Sequence, residues 1–287
     1  MKEIPIRNIN TILKELGSSG DFLIRDARDL LSEGDMVQEL HRHNFFYILA
    51  LEKGDGEHSI DFMSYPVKDH TVFIMRPGQV HKITLKSKSK GYLMQFNSDF
   101  YSPIEKTANQ IFRKVTNGNF FQLDPEAAKK TFSILNEILR EYANKQENHV
   151  EVIKSSLHIF FIELLRQSPQ PQHPSQANGE YMQERLMEFM ELVRLHITTH
   201  KQVAFYVEKL HLTAYQLNAI TKATLDKTCS EVINDYIILE AKRYLLATSN
   251  QINQIAWQLG YEDVSYFIRF FRKHTGHSPE AFRHNFR

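Results

Sequence analysis

Cysteine is almost absent. Of 287 residues only Cys229 carries a thiol, so no intrachain disulfide can form and no cysteine-based zinc site exists. No run of about 18 apolar residues occurs, so no transmembrane helix is expected. The first residues, MKEIPIRNINTILKEL, are too charged for the apolar segment of a signal peptide. A cytoplasmic protein without membrane association is expected. A strong charge of either sign is also missing: 35 Lys and Arg stand against 34 Asp and Glu. From Glu180 onward the balance is 13 to 12. A nucleic-acid-binding region often has a larger basic excess, so its cations would have to be gathered on one surface. The last twenty residues do this in part, with Arg269, Arg272, Lys273, Arg283 and Arg287 against Glu280. No nucleophile–base arrangement and no phosphate-binding loop is evident, so neither catalysis nor a cofactor is expected.

What is present divides the chain. Ser168 to Gly179 contains three prolines and no large apolar residue, which reads as an exposed linker. It separates an N-terminal domain, 1–167, from a C-terminal domain, 180–287. Between residues 20 and 100 short apolar runs recur: Phe22–Ile24, Phe45–Leu49, Ile60 with Phe62, Val72–Met75, Ile83 with Leu85, and Tyr92–Phe96. Turn signals at Lys53–Gly56, Ser64–Pro66, Arg76–Gly78 and Ser87–Gly91 separate them, as in a sandwich or barrel. After Asp124-Pro125 the period becomes helical. Phe132, Leu135, Ile138, Leu139 and Tyr142 form one stripe, and Val152, Ile153, Leu157, Phe160, Phe161, Leu164 and Leu165 form a second. The pair makes a helical hairpin that either caps the sheet or serves as a homodimer interface.

From Tyr181 the spacing predicts helices to the end, and one pattern occurs twice, fifty residues apart. Thr213 and Gln216 form a capping box that opens a helix with Leu217 and Ile220 inward. Asp263 caps a helix with Phe267, Phe270 and Phe271 inward, after Ile252, Ile255, Ala256 and Leu259 and a turn at Gly260. Two short helices meeting at a sharp turn can set one of them into a DNA major groove. The outward residues of the first unit are Tyr215, Gln216, Asn218, Ala219 and Lys222, with Thr213 at the helix start. Those of the second are Val264, Ser265, Ile268, Arg269 and Arg272, followed by Lys273. Valine and isoleucine beside arginine suit thymine methyls, guanine edges and phosphates.

Ile255-Ala256, Leu259-Gly260-Tyr261, Phe267, Phe270-Phe271-Arg272-Lys273, Gly276, Ser278-Pro279 and Phe282-Arg283 resemble the signature of the AraC/XylS family of bacterial transcription regulators. The resemblance covers the whole C-terminal domain. It implies that both recognition helices enter successive major grooves on one face of double-stranded DNA. The first unit departs from the pattern, with Asp226 where a glycine is usual and Thr221 where an aromatic is usual.

In the N-terminal domain His41-Arg-His43, Gly54, Gly56 and Pro77-Gly78-Gln-Val-His81 resemble the two cupin motifs. Strand period two puts His41, His43, Phe45 and Tyr47 on one face. His81 would join the histidines if that face is interior, which would offer a possible metal triad. The acidic residue usual after the histidine pair is missing. A ligand pocket of His41, His43, Tyr47 and His81 is therefore the expectation, with no metal assigned. His58 and His70 are expected in surface turns. The fold class is α+β multidomain: an N-terminal cupin-like β-barrel with a helical hairpin, and a C-terminal all-α double helix-turn-helix domain. The function expected is sequence-specific regulation of transcription. The family tendency is activation, with a small-molecule effector, a homodimer and contact with RNA polymerase. The rival class is a cupin metalloenzyme with an accessory DNA-binding domain.

Overall fold

The computed structural model describes residues 6–7, 9, 20–167 and 176–286. Contacts divide them into two units, one within 6–167 and the other within 176–286. The proposed linker lies outside the described residues as far as 175. Gln176 to Gly179 form instead the first turn of a helix.

Ten strands build the first unit: β1 (Ile6–Arg7), β2 (Phe22–Asp26), β3 (Met36–His43), β4 (Phe46–Lys53), β5 (Gly56–Ile60), β6 (Met63–Val67), β7 (Thr71–Met75), β8 (Val80–Leu85), β9 (Lys90–Phe96) and β10 (Phe120–Gln122). They form two five-stranded sheets, ordered β1-β3-β8-β5-β6 and β10-β7-β4-β9-β2. All pairings are antiparallel except β1 with β3. One core lies between the sheets, where Ile60, Val67, Ile83 and Leu85 of the first meet Leu23, Tyr47, Leu49, Phe73 and Leu93 of the second. The opposite face of the second sheet, with Ile24, Phe46, Ile48, Val72, Ile74 and Phe96, is covered by helices. Residues 46–51 of β4 are buried on both faces, which explains why that segment is an unbroken apolar run rather than an alternating one.

The described helices of this unit include α1 (Ala27–Leu30), α2 (Lys106–Thr116), α3 (Pro125–Asn144) and α4 (His149–Gln167). The hairpin predicted past Pro125 is α3 with α4. The Ala127 N–H donates to Asp124 Oδ1 at 2.9 Å, and Pro125 occupies the first turn, where its missing N–H costs nothing. Leu135, Ile138, Ile153, Leu157 and Leu164 are buried against the sheet.

One turn lies elsewhere than expected. Asp61 and Phe62 adopt left-handed φ of 46° and 71° and close the β5–β6 hairpin. Ser64–Pro66, read as a turn, falls inside β6. This is an edge strand, where a proline costs no ladder hydrogen bond.

The second unit is helical: α5 (Gln176–His196), α6 (Val203–Leu210), α7 (Ala214–Leu225), α8 (Cys229–Ala247), α9 (Ile252–Gln258), α10 (Val264–Thr275) and α11 (Pro279–Phe286). α8 packs against all six others. Its buried residues, including Ile233, Ile237, Ile238, Ala241, Leu245 and Leu246, lie on more than one face, as befits a helix surrounded by partners. None of the described helices is long and apolar enough to cross a membrane.

Candidate functional site

The repeated pattern becomes two helix-turn-helix units, α6–α7 and α9–α10. In the first, the Gln216 N–H donates to Thr213 Oγ1 at 3.2 Å. The Thr213 N–H donates back to Gln216 Oε1 at 2.8 Å. In the second, the N–H groups of Ser265 and Tyr266 donate to Asp263 Oδ1 at 2.8 and 3.1 Å. Each satisfies backbone donors that a helix start leaves open. The ends correspond as well: Asp226 and Gly276 both close their helices in the left-handed conformation, at φ 55° and 78°. Aspartate thus stands in a glycine's conformation, which its short polar side chain tolerates.

The turns differ by one residue. α6 ends with left-handed His211 at φ 53°, two residues before its partner's cap. α9 is followed by Gly260 at φ 71°, three residues before Asp263. A Cβ at Gly260 would stand 1.7 Å from the carbonyl oxygen of Thr198, two residues past α5, so both conformation and space demand glycine.

The outward faces match at the same offset of fifty. Tyr215, Ala219 and Lys222 are exposed on α7, and Ser265, Arg269 and Arg272 on α10, each set at spacing i, i+4, i+7. Tyr215 is 84% exposed, far beyond what a packing role would leave. Lys273 is exposed beside Arg272, while Val264 and Ile268 are half-buried at the edge of the face. Arg269 lies 3.9 Å from Asp263, with both side chains largely exposed. Among the described residues, Arg272 and Lys273 enter no ion pair, and Lys222 makes only a coulombic contribution at Glu231.

Three residues expected on this face have local work in the protein. Thr213 and Gln216 are joined in their capping box. Asn218 is half-buried and accepts a hydrogen bond from the Cys229 N–H at 2.9 Å, fastening α7 to the start of α8. Phe270, expected in the core with Phe267 and Phe271, is only half-buried and packs on Tyr261 and His274. Thr221 is fully buried in the place Phe271 takes in the second unit, 3.6 Å from the Cys229 thiol. Two features were missed. Tyr266 is 54% exposed on α10. Arg283, read only as part of a signature, donates to Leu245 O at 2.9 Å and Asn250 O at 2.7 Å, tying α11 to the junction of α8 and α9.

In the first unit the chain leaves one sheet after His43 and enters the other at Phe46, so His41, His43 and Tyr47 do not share one strand. They converge because both strands turn their side chains into the space between the sheets. His41 and His81 are cross-strand partners on β3 and β8. The His43 ring stacks on Tyr47 at 5.3 Å, and the His41 and His81 rings lie 4.2 Å apart.

His58 is not in a surface turn. It lies on β5, fully buried, and its Nε2 is 2.7 Å from His81 Nδ1. Pairing of β5 with β8 turns His58 and Ile60 inward together. His70 is half-buried in a turn with φ 59°. Burial pushes all four interior imidazoles below the ordinary histidine range, His41 to about 4 and His58 to about 3, with His43 and His81 also well down. All four are neutral at physiological pH. Burial raises the Tyr47 phenol in the same way.

Paired, capped helix-turn-helix units sharing one long helix, on a chain that also carries a double-sheet domain, define a DNA-binding transcription regulator. The model of an AraC-like ligand binding domain matches residues 32–161, and that of a helix-turn-helix domain matches 206–285. The chain is 23% identical to the uncharacterized HTH-type transcriptional regulator YfiF of Bacillus subtilis, over 85% of this chain and 78% of that protein. It is 23% identical to the HTH-type transcriptional activator RhaR of Mannheimia succiniciproducens, over 86% of this chain and 87% of that one. A crystal structure of ToxT from Vibrio cholerae is similar at 14% identity and a TM-score of 0.44, covering 92% of this chain and 97% of that one. The chain belongs to the AraC family of transcription regulators. These families and relatives are regulators and not enzymes, so the metalloenzyme reading falls.

Proposed function

We propose that this regulator activates transcription as a cytoplasmic homodimer, reading one operator segment with each helix-turn-helix unit and responding to a small-molecule effector through its double-sheet domain. The observation that carries the DNA reading is the pair of matched outward faces on α7 and α10. Tyr215 and Ala219 would read one major groove, and Ser265 and Arg269 the next, with Lys222 and Arg272 on the flanking phosphates and Lys273, Val264 and Ile268 at the edge. Thr213, Gln216 and Asn218 hold the first helix in place.

Spacing supports this reading. Asn218 fastens the first unit at Cys229, the first residue of α8, and Arg283 fastens the second at Leu245, near its last turn. A helix of 19 residues is about 28 Å long, and successive major grooves on one DNA face recur about every 34 Å.

Activation is supported by relatives named activators, such as RhaR, and contact with RNA polymerase is part of that proposal. The effector role is supported by the match to the AraC-like ligand binding domain. Dimerisation is supported by Val152 and Ile159, two exposed apolar side chains seven residues apart on α4. Seven residues is two turns, so both lie on one stripe.

The test is selection of bound fragments from a genomic DNA pool, followed by transcription from the selected promoters with the purified protein. Enrichment of a two-part site and increased transcript are expected. Binding without sequence preference would overturn the reading.

A further inference from the structure

The turn of the second helix-turn-helix unit is one residue longer than that of the first, and it is supported differently. α6 and α9 end alike. The N–H groups of His211 and Leu212 donate to Glu208 O and Val207 O at 3.1 and 3.0 Å. Those of Gly260 and Tyr261 donate to Trp257 O and Ala256 O, both at 2.9 Å. From these left-handed positions the first chain segment reaches its Thr213 cap in two residues, and the second reaches Asp263 in three. An added residue brings two more soft dihedrals, so the longer turn fixes its recognition helix less firmly unless something outside it helps.

That help comes from the segment between α5 and α6. Lys201 Nζ donates to Gly260 O at 2.9 Å and to Thr198 O at 3.2 Å. The same ammonium stands 4.8 Å from the centroid of the Tyr261 ring, within reach of a cation–π interaction. One cation therefore joins two consecutive residues of the turn to its own segment. In the first unit Leu212 takes the place of Tyr261 and offers a cation no aromatic face.

The segment that carries Lys201 is itself anchored. Ile197 is buried, and the Tyr206 hydroxyl donates to His200 O at 2.5 Å while its ring packs on Phe189 of α5 at 5.5 Å. Burial lowers the Lys201 ammonium from the ordinary lysine value, the direction expected when a charge is withdrawn from water. Two carbonyls and a ring stand in for the water it has lost.

What the cation touches leads on to α10. Tyr261 is buried, and its ring packs on Phe267 at 5.4 Å and Phe270 at 5.9 Å. Phe267 lies two residues from both Ser265 and Arg269, which puts those two on the opposite side of the helix. A shift of the Tyr261 ring is thereby a shift of the face that carries them.

We propose that Lys201 is a positioning residue for the second recognition helix: it fixes the α9–α10 turn through Gly260 O and the Tyr261 ring, and so sets where Ser265 and Arg269 meet the bases, without touching DNA itself. The inference rests on the DNA reading proposed above and adds a determinant of specificity to it. Lys201 lies outside both helix-turn-helix units and 59 residues from Gly260 in sequence, where no recognition-helix pattern reveals it. Discrimination at one operator segment, and not at the other, then depends on this side chain.

The test uses Lys201→Met in the full chain, which keeps an unbranched apolar stem and removes the cation. Amide hydrogen exchange read by mass spectrometry is measured first, without DNA. The peptide spanning residues 257–266 should exchange about tenfold faster, the effect of losing a charge-assisted hydrogen bond. The peptide spanning residues 208–216 should exchange as in the parent. Competition between operators substituted in one segment or the other is measured second. The α10 segment is the one at which Arg269→Ala relaxes the base preference. Discrimination there should fall about tenfold in Lys201→Met, with the parent's value kept at the α7 segment and the salt slope unchanged.

Parent-like exchange across residues 257–266 overturns the tie. Parent-like discrimination at the α10 segment overturns the positioning role. Equal loss at both segments, or a salt slope lowered by about one, also overturns it and makes Lys201 a general support or a phosphate contact. The exchange measurement needs no DNA, so its failure strikes this inference alone, whereas a parent protein without sequence preference strikes the DNA reading.

Discussion

The amide oxygen of Asn218 accepts the backbone N–H of Cys229 at 2.9 Å, and so a residue on the recognition helix serves as a tie to the next helix. Asn218→Ala should lower stability by about 1–2 kcal/mol, the cost of leaving a partly buried donor without its acceptor. Urea denaturation followed by circular dichroism measures this. The base preference of the variant, from competition between operator variants, should equal that of the parent. A changed preference would show that Asn218 also reads a base.

Gly260 is fixed by its close approach to Thr198. A β-carbon there meets a carbonyl oxygen at 1.7 Å while φ is 71°, so two separate penalties act together. Gly260→Ala should destabilise the helical unit by about 2–4 kcal/mol. Thermal unfolding reads the loss, and DNA affinity should fall with it because the α9–α10 turn is displaced. A variant as stable as the parent would mean that the turn can be made another way.

The exposed cations should divide by role. Replacing Lys222 or Arg272 with alanine should weaken binding to all DNA sequences alike and lower the slope of log affinity against log salt by about one each. Arg269→Ala should instead relax the base preference at one position, by about 1–3 kcal/mol. Titrations at several salt concentrations on matched and single-substituted operators separate the two behaviours. Equal loss on every operator for Arg269→Ala would move it to the phosphate class.

Tyr206 is fully buried and donates its hydroxyl to His200 O at 2.5 Å. Burial raises its phenol from the ordinary 10 to about 12. A group that holds its proton more tightly when folded stabilises the fold fully below the unfolded value. That stabilisation is lost as pH rises through the folded one. The helical unit should therefore lose stability between about pH 10 and 12. The stability difference between parent and Tyr206→Phe should be constant below pH 10 and shrink above it, as chemical denaturation across that range would show.

The two helix-turn-helix units were legible because their signals are local. Caps, left-handed turn positions and apolar spacing lie within twelve residues of one another, and the offset of fifty carried them from Thr213 to Asp263 and from Asp226 to Gly276. What the offset could not show was the one-residue difference between the turns at His211 and Gly260. It also could not show which polar residues the protein uses internally, as it does Asn218.

The strands of the first unit were mostly legible from apolar alternation. The β5–β6 hairpin was not, because its turn is made by Asp61 and Phe62, an aromatic in a left-handed conformation that turn chemistry disfavours. His58 was misread for a related reason. The segment around it is rich in glycine and charge, and only its pairing with β8 shows that it faces His81. Long-range register, unlike capping, leaves no mark within a short window.

The most direct test of the central claim is binding to an operator in which the distance between the two groove sites is changed. Because α8 joins both units as one helix, inserting about 5 base pairs turns the second groove to the opposite face of the DNA. Affinity should fall to that of an operator with only one site intact. Inserting about 10 base pairs restores the face but exceeds the reach of a helix of about 28 Å, so affinity should stay low. Unchanged affinity after the half-turn insertion would contradict reading of successive grooves by α7 and α10 of one chain.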